Sequence, residues 1–364
     1  MSGSSATLGA RIFQKWLALF RRRNDRHQHY VYVTNQGSNS ISQYKADHHG
    51  SLAPLLPALV ATGTTPVFIA VTPSGNYAYV ANQGSNSISQ YSINPNGNLA
   101  EISTPVAAGT CPVEIAIDPS GRYAYAANSS SNEVSQYLIG ENGTLSAMSP
   151  ATIDTAVIPV AITVDPSGKY AYVVNNSSNN ISQYLISENG SLQPMSPAII
   201  AAGTAPRAIT TDPSGKFAYV VNRTSGDVSQ FAITSNGCLA PASAAVAAGK
   251  HPMSICIAPS GKYAYVVNQN SNHVSQYTLD GKGRLLPMIP ATAESLVTPV
   301  CITIASSGKY AYVTNISSNN VSQYEIDGHG ALRPIRVNAW GDVTVAAEIS
   351  PRSVISVAMK TGEA

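Results

Sequence analysis

The sequence predicts an all-β fold made of seven copies of one four-stranded unit, and three observations support this prediction. First, a stretch of the form Tyr-Ala-Tyr-Val-Val-Asn recurs at intervals of 46 or 47 residues. It ends at Asn35, Asn82, Asn128, Asn175, Asn222, Asn268 and Asn315. Second, all 19 Tyr, with Phe217 and Phe231, fall into three recurring slots. Third, the two ends of the repeat region carry complementary parts of one unit. Such a regular period indicates a repeat architecture.

The copy that begins at Pro159 shows the four strands in order. Residues 159–164 are a β-branched run that ends in an Asp-Pro-Ser-Gly turn. Residues 169–175 alternate so that both tyrosines lie on one face of a second strand. After a polar loop comes a third strand at 181–186, and Asn-Gly then predicts a hairpin into a fourth strand from 192 to about 200. Four short antiparallel strands per period are typical of one blade of a β-propeller.

The ends of the repeat region predict how the ring closes. The chain enters at Tyr30 on the second strand of a blade, with no Pro-led first strand before it. Residues 351–359 contain a first strand with no second strand after it. Pairing these parts removes two exposed sheet edges. We therefore predict one seven-bladed β-propeller over residues 30–359, with one blade shared by 30–62 and 351–359, and a tail at 360–364.

Residues 1–29 differ from the repeats. An apolar run at 12–20 precedes Arg21-Arg22-Arg23, so this segment is either a disordered tail or a short basic amphipathic helix that contacts a membrane surface. The run is too short to span a bilayer, so we expect no transmembrane segment. Its basic cluster follows the apolar run, whereas a secretory signal has its charges first.

Composition narrows the function classes. Charged residues make up 11% of the chain and the net charge is +2 with no basic stripe, so we expect no nucleic-acid partner. The cysteines have neither metal-binding nor disulfide-framework spacing, and no glycine loop or redox motif appears. We expect four free thiols, no cofactor, no metal and a monomer. Low charge and many Ser and Asn residues favour a location outside the cytoplasm. The four cysteines are Cys111, Cys238, Cys256 and Cys301.

Features shared by all copies are assigned to packing, and chemistry is expected where one copy departs from the others. In a propeller, the start of each first strand and the loop between strands two and three open on one mouth of the central channel. Among residues next to the strand-opening prolines, Arg207 and Arg352 follow a Pro and His251 precedes one. Glu114 is the only charge one step further in.

These departures predict a weak cationic site for a small carboxylate, phosphate or sugar-like ligand. Arg207, His251 and Arg352 would supply the positive charge, since guanidinium groups bind both anions in two-point geometry. The alternative is that the arginines pair with Glu114 or lie in solvent.

Two further departures lie on the same face. Asp227 and His273 occupy equivalent positions in adjacent loops, which suggests an acid–base or metal pair, although no third metal ligand is evident. Five extra residues between Leu332 and Pro351 surround Trp340, which either stacks on a sugar or plugs the closure seam. A protein partner is also expected on this mouth face.

The repeated stretches Tyr32-Val33-Thr34-Asn35 and Tyr312-Val313-Thr314-Asn315 resemble those of YVTN-repeat propellers. These are similar to the lactonase-like seven-bladed propeller family, which includes phosphogluconolactonase and carboxymuconate-cyclising enzymes. The resemblance covers residues 30–359 and implies histidines in Pro-His and Pro-Arg-His elements on inner strands. Pro206-Arg207 matches the second element, but Ala208 stands in place of its His, and the chain has no Pro-His dipeptide.

Two functions from different classes therefore remain. The first is a non-catalytic binding or surface scaffold with a small-ligand site at the channel mouth, which the internal symmetry and the few acid–base residues favour. The alternative is a lactone hydrolase acting on an anionic sugar lactone. In that case Arg207 would hold the anion, and His251 or Glu114 would act as general base.

Overall fold

A computed structural model of the protein describes residues 27–335 and 344–360, which form 29 strands in seven antiparallel sheets and no helix. We number the blades by repeat copy and the strands in chain order. Blade 1 contains β1 (His27–Asn35), β2 (Ser40–Ala46), β3 (Leu52–Ala61) and β29 (Pro351–Lys360). Blade 2 contains β4 (Pro66–Val71), β5 (Tyr77–Asn82), β6 (Ser87–Ile93) and β7 (Leu99–Ala107). Blade 3 contains β8 (Pro112–Ile117), β9 (Tyr123–Asn128), β10 (Glu133–Ile139) and β11 (Leu145–Asp154).

The remaining blades repeat this pattern. Blade 4 contains β12 (Pro159–Val164), β13 (Tyr170–Asn175), β14 (Asn180–Ile186) and β15 (Leu192–Ala201). Blade 5 contains β16 (Pro206–Thr211), β17 (Phe217–Asn222), β18 (Asp227–Ile233) and β19 (Leu239–Ala247). Blade 6 contains β20 (Pro252–Ile257), β21 (Tyr263–Asn268), β22 (His273–Leu279) and β23 (Leu285–Glu294). Blade 7 contains β24 (Pro299–Ile304), β25 (Tyr310–Asn315), β26 (Asn320–Ile326), β27 (Leu332–Pro334) and β28 (Thr344–Ala346).

The ring closes as the sequence predicts. Strand β29 pairs antiparallel with β1, and Val354 lies opposite Val33. The Pro-led strand is the innermost of each blade, and β29 contacts both β24 of blade 7 and β4 of blade 2. The predicted seven-bladed β-propeller, closed by its C-terminal strand, is confirmed. Residues 1–26 and Trp340 lie outside the described residues, and no described helix could cross a membrane.

The repeated tyrosines hold neighbouring blades together. The middle aromatic of each copy is a buried Tyr whose hydroxyl donates to the hairpin Gly carbonyl of the next blade, at 2.6–3.0 Å. Tyr312 of blade 7 donates to Gly50 of blade 1, which continues the series across the closure. Burial raises the pKa of the Tyr312 hydroxyl. Each ring thus buries apolar area while its hydroxyl keeps a partner, as the sequence suggested.

The repeated Ser-Gln pair makes a second connection between blades. In every copy the Gln Oε1 accepts a hydrogen bond from the backbone N–H of the Leu that opens the fourth strand of the next blade, at 2.6–2.7 Å. Gln43 to Leu99 is the first of these bonds, and Gln323 to Leu52 closes the ring. The buried backbone N–H of the Leu thereby has a partner at each junction, which supports the assignment of these residues to structure.

Candidate functional site

A β-bulge at the start of each inner strand turns one side chain toward the central channel. In blade 5, Pro206 lies opposite Asn222 and Ala208 lies opposite Val221, so that Arg207 has no cross-strand partner. The same register shift in β29 leaves Arg352 as the extra residue. A bulge re-aims the side chain of its extra residue. The residue after each strand-opening Pro is therefore placed to line the channel.

The two loops predicted to share a mouth do so. The residue after each repeated Asn donates its N–H to the residue before the strand-opening Pro of the same blade. Examples are Arg223 to the Ala205 carbonyl at 2.9 Å and Gln36 to the Ser350 carbonyl at 3.0 Å. Side chains from both loops can therefore meet at one end of the channel.

The channel contains a cavity of about 360 Å³, lined by inner strands from six blades. Much of the lining is aliphatic, from residues such as Val67, Val113, Met253 and Val300. Its polar and ionisable side chains are those of Gln83, Glu114, Arg207, Ser254, Cys301, Thr303, Arg352 and Ser353. A cavity of this size in which apolar side chains surround a few converging polar groups is typical of small-ligand sites.

Arg207 carries a positive charge that no described carboxylate neutralises at ion-pair distance. Its Nη1 donates to the Val160 carbonyl of blade 4 at 3.2 Å. Burial lowers the pKa of Arg207, while the charge of Glu114 opposes that change. Arg352 donates from Nε to Gln36 Oε1, and its pKa is lowered by burial and then by the nearby Arg207. Because guanidinium groups keep their charge in proteins, the channel holds two cations.

Glu114 is the carboxylic acid of this cavity. Burial raises its pKa to about 8, although the charge of Arg207 acts in the opposite direction. Its side chain is half-buried, since one part faces the cavity while the channel wall surrounds the rest. Poor solvation therefore outweighs the attraction to Arg207, and the carboxyl is mostly protonated at neutral pH. A pKa close to the working pH suits a general acid or base.

The thiols of the inner strands are not activated. Burial is the largest cause that raises the pKa of Cys301, which lines the cavity, and burial raises the pKa of Cys256 to about 12. Both cysteines are free, as are Cys111 and Cys238. A protonated thiol is a poor nucleophile, so covalent catalysis by cysteine is not supported by this environment.

The structure brings Arg207, Arg352 and Glu114 to one cavity but places His251 elsewhere. His251 lines a separate pocket on the mouth face, together with Arg223, Lys250 and His273. The expected grouping of His251 with the two arginines is therefore not seen around the channel cavity. Trp340 lies outside the described residues, so its placement stays a prediction.

The suggested Asp227–His273 pair is not formed. Asp227 Oδ1 accepts hydrogen bonds from Asn222 Nδ2 at 2.7 Å and from the Ser225 hydroxyl at 3.1 Å. His273 Nδ1 lies 3.2 Å from Asn268 Nδ2 in its own blade, and burial lowers its pKa. Each side chain is used within its own loop. The described residues contain no group of three or more side chains suited to hold a metal.

Arg223 and Lys250 were missed by reasoning from the sequence. Arg223 belongs to the position directly after the repeated Asn, where it is the only charged residue. It also lies close enough to Arg207 that its charge lowers the pKa of that guanidinium. Comparing the copies at this position would have identified it. The residues there are Gln36, Gln83, Ser129, Asn176, Arg223, Gln269 and Ile316.

Comparisons with known proteins agree with this architecture. A family model described as lactonase, 7-bladed beta-propeller matches residues 23–111, 53–151, 143–255 and 240–347. A comparison with curated proteins gave no match.

Solved structures share the fold. A candidate 6-phosphogluconolactonase from Bacteroides fragilis is 21% identical with a TM-score of 0.79, over 92% of this chain and 98% of the other. A second, from Bacteroides uniformis, is 22% identical with a TM-score of 0.79, over 92% and 100%. The periplasmic gluconolactonase of Pseudomonas aeruginosa is 20% identical with a TM-score of 0.78, over 91% and 99%. Likeness at these identities shows the fold alone.

Proposed function

Because this chain belongs to the seven-bladed lactonase propeller family, we propose that its central channel binds a small anionic molecule of the sugar-acid type. The observation that carries the proposal is Arg207, which is half-buried in the channel wall with one carbonyl partner and no ion pair to a described carboxylate. A carboxylate or phosphate entering from the mouth would supply the missing negative charge in two-point geometry. Arg352 adds a second cation at the same cavity.

The family and the shared fold support a sugar-derived ligand for this site. The neighbours described as candidate 6-phosphogluconolactonases or as a gluconolactonase act, by those names, on lactones of sugar acids. Gluconate and 6-phosphogluconate are the corresponding acids, and both carry the charge that Arg207 would bind. A cavity of about 360 Å³ is of the right order for such a molecule.

Calorimetric titration tests this proposal with gluconate, 6-phosphogluconate and neutral glucose. We expect the wild type to bind the two anions and to bind glucose at least ten-fold more weakly. Arg207→Ala should lose at least ten-fold in anion affinity, because truncating one partner of a charged hydrogen bond costs roughly 2 kcal/mol or more. Arg333→Ala is the matched control, since Arg333 is exposed and pairs with Asp327 at 2.8 Å. Equal affinities for gluconate and glucose, or an unaffected Arg207→Ala, would refute the proposal.

A second candidate is hydrolysis of an anionic sugar lactone, favoured by the raised pKa of Glu114. In its ionised form the Glu114 carboxylate would take a proton from a water molecule as the water oxygen attacks the lactone carbonyl carbon. The ring C–O bond then breaks, the proton passes to the leaving oxygen, and the open sugar acid is released. Arg207 would hold the anionic group of the substrate.

Lactone hydrolysis above the uncatalysed rate tests the second candidate, with gluconolactone and 6-phosphogluconolactone as substrates. We expect the enzymatic rate to rise with pH through about 8, as Glu114 ionises, and to be lost in Glu114→Gln. His251→Ala is a control because His251 lies outside the channel cavity. Turnover that survives in Glu114→Gln but disappears in His251→Ala would show that Glu114 is not the general base. Anion binding without turnover would leave the channel as a binding site.

A further inference from the structure

One hydrogen bond on the mouth face recurs at six of the seven blade junctions and is missing at the seventh. In six blades the residue before the third strand is an Asn with a positive φ of 49–57°. Its Oδ1 accepts from the backbone N–H of the residue before the next strand-opening Pro, at 2.8–3.0 Å. Asn179 and Ala205 form one such pair, at 2.8 Å. These Asn residues are Asn39, Asn86, Asn132, Asn179, Asn272 and Asn319.

Blade 5 has Gly226 at this position, so the junction with blade 6 lacks the Asn side chain. The backbone N–H of His251 corresponds to the N–H that donates to the Asn Oδ1 in the other copies. No described residue accepts a hydrogen bond from it. His251 Nδ1 is also buried without a partner. Unpaired buried polar atoms are rare in folded proteins and call for an explanation.

The fold does not require glycine here. A Cβ at Gly226 would meet only the Gly249 carbonyl oxygen, at 3.4 Å, which is ordinary contact. Its φ of 70° is close to the values that Asn adopts in the other six copies. The missing side chain therefore opens space that the backbone geometry would allow an Asn to fill.

A pocket of about 550 Å³ lies at this junction, and its charged lining residues are cationic. Arg223 comes from the loop after β17, Lys250 precedes β20, and His251 and His273 complete the ionisable lining. Asp227 follows Gly226 in the chain but is bonded to Asn222 and Ser225 and does not line the pocket. The pocket thus combines a backbone N–H that lacks its Asn partner with two cationic side chains.

We propose that this blade 5–6 pocket is an oxyanion site, distinct from the channel cavity, that takes the phosphate or carboxylate group of a small ligand. The oxyanion accepts from the His251 backbone N–H, which in the other copies donates to the Asn Oδ1. Lys250 and Arg223 neutralise its charge. The channel cavity has no histidine among its lining residues, so the two sites differ in their donors.

Titration with inorganic phosphate, followed through the His251 ring signals by NMR, tests the site. We expect saturable shifts in the wild type and at least a ten-fold weaker effect in Gly226→Asn, which restores the side chain that the other copies have. Lys250→Gln should also weaken binding several-fold. Arg207→Ala should leave the His251 response in place while it reduces binding in the channel, so the two proposals can fail separately.

A reciprocal variant provides the matched control. Asn272→Gly opens the equivalent junction before Thr298, where the residues corresponding to Lys250 and His251 are Val297 and Thr298. We expect no new phosphate binding there, because an uncapped N–H alone does not make the site. Wild-type protein that shows no phosphate-dependent shift would overturn the proposal. So would a Gly226→Asn variant that responds as strongly as the wild type.

Discussion

Replacing Glu114 by Gln should change how stability depends on pH, because the carboxyl is displaced far from its ordinary behaviour. In the folded protein its pKa is raised to about 8, compared with an ordinary value of 4.5. Between these pH values the folded state keeps a proton that the unfolded state has released. Stability due to this group is therefore fully present below about pH 4.5 and is lost as the pH rises through 8. Glu114→Gln removes that loss.

The size of the effect follows from the interval between the two pKa values. At about 1.36 kcal/mol for each pH unit, an interval of roughly 3.5 units sets an upper limit of about 5 kcal/mol. Water in the channel reaches part of the side chain, so we expect about 2–3 kcal/mol. The difference in the free energy of unfolding between Glu114→Gln and the wild type should therefore change by that amount from pH 5 to pH 9, in favour of the variant.

Urea unfolding at pH 5, 6, 7, 8 and 9 measures this difference. Glu141→Gln is the matched control, because Glu141 is exposed on an outer hairpin. Arg207→Leu should move the loss of stability to higher pH, since the charge of Arg207 lowers the pKa of Glu114. If wild type and Glu114→Gln show parallel stability from pH 5 to 9, the carboxyl ionises normally, and its assignment as a base poised near pH 8 fails with it.

Two packing predictions concern the blade junctions. Gly190→Ala should destabilise the protein by about 3–5 kcal/mol, because a Cβ would lie 2.3 Å from the Tyr123 ring at a φ of 86°. Gly168→Ala, with a φ of 71° and a nearest atom at 3.4 Å, should cost only the backbone strain of about 1–2 kcal/mol. If denaturant unfolding shows the same loss of stability for Gly190→Ala and Gly168→Ala, the contact with the Tyr123 ring is unimportant. Phe231→Tyr should stabilise the protein by about 1 kcal/mol, because the new hydroxyl can donate to the Ala201 carbonyl of blade 4. Five tyrosines at this slot donate in the same way to the fourth strand of the preceding blade. An unchanged urea midpoint would contradict this prediction.

The fold could be predicted because each of its determinants occurs in every copy. The Tyr32 hydroxyl bond to Gly97 and the Gln43 bond to Leu99 recur around the ring, so the periodic sequence reveals them as a pattern. The Val33–Val354 pairing followed from the incomplete first and last copies, since a lone edge strand is costly. Prediction of the channel residues was partial. Arg207 was found as a departure, but the bulge that turns it toward the channel depends on strand register, which single residues do not report.

The blade 5–6 pocket was missed for a different physical reason. The pocket arises where a side chain is absent, at Gly226. A search of the sequence for reactive side chains finds residues such as His251 but does not detect a missing Asn. Gly226 becomes informative only once the other six copies are known to place an Asn Oδ1 on the neighbouring backbone N–H. A hydrogen bond between residues about 26 positions apart has no signature in the sequence beyond the repeat itself.

The cations at the mouth also bear on whether this end of the ring serves a ligand. Arg223 lowers the pKa of Arg207, and Arg207 lowers that of Arg352, so these like charges oppose one another. In the described structure Glu114 is the acidic residue of the channel lining, and its pKa of about 8 leaves it mostly neutral at pH 7. A scaffold that needed only its shape would gain stability from Val at the positions of Arg207 and Arg352, since four other blades have Val there. The concentration of uncompensated positive charge would instead be stabilised by the anion that we propose for the channel, because a partly enclosed channel strengthens the field at its mouth.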